Sequence, residues 1–138
     1  MAGTVTQSDY DDRLGNQLPV QRVVLAWVSD SSGNVSGTLT TKRILGKIAR
    51  VVFVPGTGSL QPSGSYSVTL LDENGIDLLS GQGASLSNSS ATEVAPGCPM
   101  KDGTTTTTTW PAINDKLQLT VSGAGSGKAG TVVVYVIA

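Results

Sequence analysis

Histidine is absent from this 138-residue chain, cysteine occurs once, and aromatic residues make up only 4%. Each shortage excludes something. Without histidine there is no Ser–His or Cys–His nucleophile pair and no imidazole to ligate a metal. The lone cysteine, Cys98, rules out an intrachain disulfide framework and suits a reducing site of synthesis. No apolar run approaches the roughly 20 residues of a membrane-spanning helix; the longest lies near Val132–Ala138. Residues Met1 to Gln7 have neither a basic stretch nor an apolar one, so no secretion signal is expected. Nine basic residues against ten acidic ones leave a net charge of −1. With a pI near 5.1, nucleic acid is not the expected partner. An ordinary enzyme is not expected either.

What is present is a β pattern. Val23, Leu25 and Trp27 alternate with Val24, Ala26 and Val28, which places each set on one face of a strand over Val20–Val28. Leu117, Leu119 and Val121 alternate in the same way. Val132, Val134 and Val136 interleave with Val133, Tyr135 and Ile137, so that strand is apolar on both faces, as in a central strand or one covered by a partner. These last two strands, joined by a Gly-rich connection, are expected to form a hairpin. Val35–Thr41, Lys47–Val54 and Thr104–Trp110 are further strands, the last two stopped by Pro55 and Pro111. Ser65–Leu71 and Ile76–Leu79 flank Asn74-Gly75, a strong hairpin signal because a type I′ turn needs positive φ at both central residues. Lys42–Arg50 could form a helical turn, but Gly46 in its middle disfavours one. It reads as a strand, or as a strand with a bulge at Gly46. Short strands punctuated by Gly, Ser, Asn and Pro indicate an all-β sandwich or barrel. Residues 1–18 are expected to form an extended arm outside a single domain over 19–138. Ser85–Gly103 reads as a long irregular loop. The core must rely on Val, Leu and Ile, so it is expected to be thin, with extra stability drawn from association.

Motifs that carry chemistry are few. Gly125, Gly127 and Gly130 satisfy G-x-G-x-x-G, yet Ser122 and Ala129 break the phosphate-loop pattern, and the segment joins two strands rather than opening a helix. Cys98 has Lys101 nearby but no general base, so a structural thiol is expected. Asp72, Glu73 and Asp77 could serve a small hydrolase, although turn chemistry accounts for them. Asp9, Asp11 and Asp12 lack the glycine and distal glutamate of a calcium loop. The sequons at Asn34 and Asn88 read as turn residues. No cofactor, metal or small-molecule substrate is expected. Trp27 belongs in the core, and Trp110 divides evenly between core and interface.

Charge is distributed unevenly. No acidic residue occurs between Asp30 and Asp72, where Lys42, Arg43, Lys47 and Arg50 all fall. This basic segment either protects an edge strand from pairing or docks on an acidic protein surface. Together with Asp9, Asp11, Asp12 and Arg13 of the arm and Trp110, these residues are the candidate partner contacts.

Val51-Val-Phe-Val-Pro-Gly56, followed by Tyr66-Ser-Val-Thr-Leu-Leu-Asp-Glu-Asn-Gly-Ile-Asp-Leu-Leu-Ser-Gly-Gln-Gly83, resembles the capsid cement (decoration) proteins of short-tailed bacteriophages, of the Bordetella-phage type. The resemblance covers about residues 20–138 and carries no site residues with it. It implies a jelly-roll-like antiparallel β-sandwich. It also implies a virion protein, made in the host cytoplasm, that sits on the capsid exterior as a homodimer and bridges neighbouring major capsid proteins. Neither membrane nor nucleic acid is an expected partner. The alternative is a phage tail or fibre domain that binds host-surface carbohydrate, which requires exposed aromatic platforms and polar grooves.

Overall fold

The computed structural model describes residues 3–8, 20–40, 42–103 and 105–137. They form an all-β antiparallel sandwich with one short 3-10 turn at Gly58–Leu60. The strands in chain order are β1 (Thr4–Ser8), β2 (Val20–Val28), β3 (Val35–Leu39), β4 (Ile44–Pro55), β5 (Ser67–Leu71), β6 (Thr92–Val94), β7 (Cys98–Asp102), β8 (Thr105–Thr109), β9 (Ala112–Asp115), β10 (Gln118–Ser122) and β11 (Ala129–Ile137). One sheet has the order β1-β2-β11-β4-β6, with β9 also on the free edge of β4. The second has the order β3-β10-β5, and β7 and β8 form a separate ribbon. Strands β2 to β6 alternate between the two sheets, as do β9 to β11, while β6 and β9 share one sheet. The neighbour sets β2-β11-β4 and β3-β10-β5 are the strand order of a jelly roll.

That alternation overturns the expected C-terminal hairpin. Strand β10 pairs with β3 and β5, whereas β11 pairs with β2 and β4, so consecutive strands lie in opposite sheets. The Gly-rich segment between them crosses the end of the sandwich. Ser29 ties it down: its Oγ donates to the Gly125 carbonyl at 2.6 Å and accepts from the Lys128 N–H at 2.8 Å. A turn does form at Asn74-Gly75, with Asp72 N–H donating to the Ile76 carbonyl at 3.0 Å and Gly75 N–H to the Asp72 carbonyl at 3.1 Å. It is not the expected type I′ turn, because Gly75 has positive φ and Asn74 does not. Its second arm shrinks to one bridge, Leu71 to Asp77, because the Asp77 carboxylate draws the following backbone amides into turns.

Three other boundaries differ from the sequence reading. Thr4–Ser8 is an edge strand in register with Val24–Val28, not part of a free arm; half-buried Val5 packs against the core there. Residues 85–103 contain β6 and β7, since Val94 reaches the core and Cys98–Asp102 finds a partner in the threonine run. The register shift in β4 falls between Ile48 and Arg50 opposite Tyr135 and Val136, so the bulged residue is Ala49 and not Gly46. Gly46 is needed for another reason: its φ is +130°, and a Cβ there would lie 2.4 Å from the Ile137 carbonyl oxygen.

Between the sheets, Val23, Leu25 and Trp27 of β2 meet Ile48, Val51 and Phe53 of β4 and Val132, Val134 and Val136 of β11. Val35, Val68, Leu70, Leu119 and Val121 close the core from the smaller sheet. Each aliphatic side chain buried this way contributes roughly 1.5–3 kcal/mol before entropy is subtracted. Trp27 is the largest, and its cross-strand partner is Gly130. A Cβ at Gly130 would stand 2.6 Å from the indole, so glycine here makes room for the ring. Tyr66 packs against Trp27 with ring centroids 5.5 Å apart.

Burial pushes the Tyr66 phenol up to about 12, against about 10 in an unfolded chain. The folded state thus holds this proton more tightly. The linked stability, about 2–3 kcal/mol, is complete below pH ~10 and is lost as the pH rises through about 12. Tyr66→Phe removes a hydroxyl with no hydrogen-bond partner among the described residues. Urea unfolding of this variant is expected to lose the alkaline slope while stability at neutral pH stays equal or rises slightly. A slope of wild-type size in the variant would show that another group titrates.

Candidate functional site: the outer face of the six-stranded sheet

The two sheets turn different surfaces to solvent. On the smaller sheet the outward positions with described side chains are Ser36, Ser67, Thr69, Leu71, Gln118, Thr120 and Ser122, all polar but Leu71. The Thr69 and Thr120 hydroxyls hydrogen-bond across strands. That is the ordinary solution for an antiparallel sheet with one wet face. The larger sheet departs from it. Cross-strand register places Val24, Val133 and Val52 in one outward row and Ala26, Thr131 and Val54 in the next. Val20 and Ile137 pair beyond them at one end, and Val28 and Ala129 at the other. Val20 is 54% exposed, Val54 39% and Val28 38%. The cause lies in the sequence: β2, β4 and β11 are apolar at both parities, so satisfying the core leaves a second apolar face outside.

Charge gathers at one end of this face. Tyr135 stands between Arg22 on β2 and Arg50 on β4. The Arg50 guanidinium lies over the Tyr135 ring, 4.8 Å from its centroid, and donates to Glu93 at 2.8 Å. That hydrogen bond raises the Arg50 pKa above its ordinary value. Lys47 pairs in register with Ile137 one row further on; its side chain is exposed and has no ion-pair partner among the described residues.

The basic segment is therefore divided. Lys47 and Arg50 belong to the apolar face, together with Arg22, which lies outside the basic segment in sequence. Its signal was its outward parity between Val20 and Val24. Arg43 is elsewhere: it pairs with Glu73 at 2.8 Å and donates to the Asn114 carbonyl at 2.6 Å. Lys42 is exposed, and its backbone N–H donates to Gln7 Oε1 at 3.4 Å. Asp9, Asp11, Asp12 and Arg13 lie outside the described residues. Trp110 is 45% exposed and borders a groove of about 300 Å³ with Gly97, Thr108 and Thr109.

The carboxylates singled out for hydrolysis are acceptors for backbone amides. Asp77 accepts from Leu70, Leu79 and Gly81 at 3.0–3.2 Å. Asp72 accepts from Asn74 and Ile76, both at 2.9 Å. Glu73 accepts from the Lys116 N–H at 2.9 Å, and this bond, aided by Arg43, holds its pKa below the ordinary value. Its contribution to stability is present above the usual carboxylate range and fades as the pH falls through the lowered folded value. Cys98 is buried and its thiol donates to the Leu78 carbonyl at 3.2 Å. Lys128 of the Gly-rich loop donates to the Ser59 carbonyl at 3.1 Å. Among the described residues no cluster of acidic or cysteine side chains could hold a metal, and no helix is long and apolar enough to cross a membrane.

Comparison with family models, with curated proteins and with solved structures finds no match to this chain. The reading of the site rests on its own chemistry.

Asp77→Ala leaves three backbone amides without their acceptor and is expected to lower stability by about 1–3 kcal/mol. Asp77→Asn, which keeps one accepting oxygen, falls between. Thermal unfolding measures both, and an unchanged midpoint for the alanine variant would refute the turn-holding role.

Proposed function

We propose that this chain is a non-enzymatic structural protein of a tailed-bacteriophage virion, a cement or decoration protein on the outer capsid that bridges neighbouring major capsid proteins and stabilises the shell. The observation that carries a docking role is the apolar outer face of the six-stranded sheet. The sequence resemblance to phage cement proteins supplies the shell as the partner.

Magnitudes favour such a role over a permanent one-to-one complex. With strands ~4.8 Å apart and ~3.3 Å per residue, the face over β2, β11 and β4 covers on the order of 400 Å². A stable interface takes about 800 Å² from each partner. One contact of this size is weak. A homodimer reaching two shell subunits multiplies it through effective concentration. Binding the assembled shell in preference to free subunits then stabilises the assembly by linkage.

Purified full-length chain is expected to cosediment saturably with empty shells that lack it and to raise their melting temperature. Absence of cosedimentation, or absence of the chain from virions, overturns the proposal.

One observation favours the second reading, a tail or fibre domain that binds carbohydrate. Trp110 is exposed and borders a groove with Gly97, Thr108 and Thr109, an aromatic residue among polar neighbours of the kind that suits a sugar ring. That reading predicts a saturable change in tryptophan fluorescence with host-surface glycans, lost in Trp110→Ala. On the shell reading, Trp110→Ala binds shells as the unaltered chain does, and glycans leave the fluorescence unmoved.

A further inference from the structure

The docking face has a direction. Within β2, β11 and β4 the Val28–Ala129 end and the central valine row carry no charge, whereas Arg22, Lys47 and Arg50 collect at the Tyr135 end. Glu93 of the edge strand β6 stands beside Val52 in the central row and reaches Arg50 in the next. Lys128, one residue beyond Ala129, is turned to the Ser59 carbonyl. Glu93 balances Arg50. Lys47 remains as a fixed exposed cation about 13 Å along the strands from the central valine row, by the ~3.3 Å rise per residue. The aliphatic stem of a lysine lies readily along neighbouring apolar surface while its ammonium stays accessible.

We infer that this face takes a partner protein of matching polarity, an apolar strip flanked at one end by carboxylates that meet Lys47 and the Arg50–Tyr135 pair. The inference rests on the docking role proposed above and adds the chemistry and orientation of the partner. Charge complementarity selects it over a second copy of this chain. A twofold axis parallel to the strands over β11 lays β4 of one copy on β2 of the other, so that Arg50 meets Arg22, cation on cation. A twofold axis across the strands lays them on the partner's uncharged valines, which strips water from the ammonium without replacing it. A homodimer of this chain therefore uses a different surface. Opposite charge at one end also fixes the register in which the partner lands, and speeds encounter at low salt.

The test compares Lys47→Glu and Val54→Lys, both at exposed positions, with Ser36→Lys on the polar face of the smaller sheet, after thermal unfolding shows that each is folded. The first probe is 8-anilino-1-naphthalenesulfonate, an apolar anion that needs no capsid. Its binding is expected to weaken several-fold in Lys47→Glu and Val54→Lys and to be unaltered in Ser36→Lys. No dye binding by the unaltered chain, or an equal loss in Ser36→Lys, overturns the inference. The second probe is the empty shell. There, Lys47→Glu and Val54→Lys are expected to lose about tenfold in affinity, and Lys47→Glu to lose part of the salt dependence as well. If the unaltered chain binds shells and both variants bind equally well, the face is wrong while the shell role stands. If the unaltered chain ignores shells, the shell role falls and the dye result decides the face. Sedimentation velocity adds the remaining outcome: a dimer that Lys47→Glu and Val54→Lys both dissociate would place a second copy on this face and overturn the inference.

Discussion

Insertion of β11 between β2 and β4 is the constraint on which the rest of the molecule depends. It supplies Val132, Val134 and Val136 to the core, and nine of its residues stand in register with β2. Without it, β2 and β4 have no common partner and the larger sheet splits in two. The strand is last in sequence while its neighbours come from the first half of the chain. Almost no local contact therefore rewards the early steps of folding, and the chain must close long loops before the sheet gains its hydrogen bonds. Small devices mark how tightly the insertion is specified. Gly130 clears space for the Trp27 ring, Gly46 lets the Ile137 carbonyl approach, and Ser29 clamps the loop that delivers the strand.

The same strand gives the molecule its two-sidedness. A central strand of an open sandwich needs one apolar face, but β11 carries two, and β2 and β4 follow it. Against the hydroxyl-covered smaller sheet, this surplus is a property of one side only. Exposed apolar surface lowers solubility and offers nothing to the isolated fold, which is the physical basis for reading it as a contact surface. Placement of the cations adds an asymmetry that bare hydrophobicity lacks, because an apolar patch alone accepts a partner in many orientations.

Much of the fold was legible. Period-two alternation identified β2, β4, β10 and β11 and set Val23, Leu25 and Trp27 on one face, with Trp27 rightly assigned to the core. The all-β class followed from those strands and their punctuation. The site was legible only in part. That Val133, Tyr135 and Ile137 are apolar was visible, and so was a cluster of cations along residues 42–50. Linear proximity then misled, because the bulge at Ala49 and the end of β4 send Arg43 to Glu73 while Lys47 and Arg50 face outward. Arg22, distant in sequence, joins them across Tyr135. The Gly-rich segment misled for a related reason: a flexible connection between two strands fits a hairpin and a crossing between sheets equally well.

By itself the sequence determined the main extended segments, the two alternating sets of side chains in each, and the lack of imidazole chemistry. Those are local properties, written in side-chain type and spacing of two. Only the tertiary structure decided which strand lies beside which, and therefore that the outward valines of β2, β4 and β11 merge into one surface with its charge at one end. Alternation encodes the face a side chain takes but not its neighbour across the ladder. The neighbour is chosen by the packing of residues far apart in the chain, such as Trp27 against Gly130.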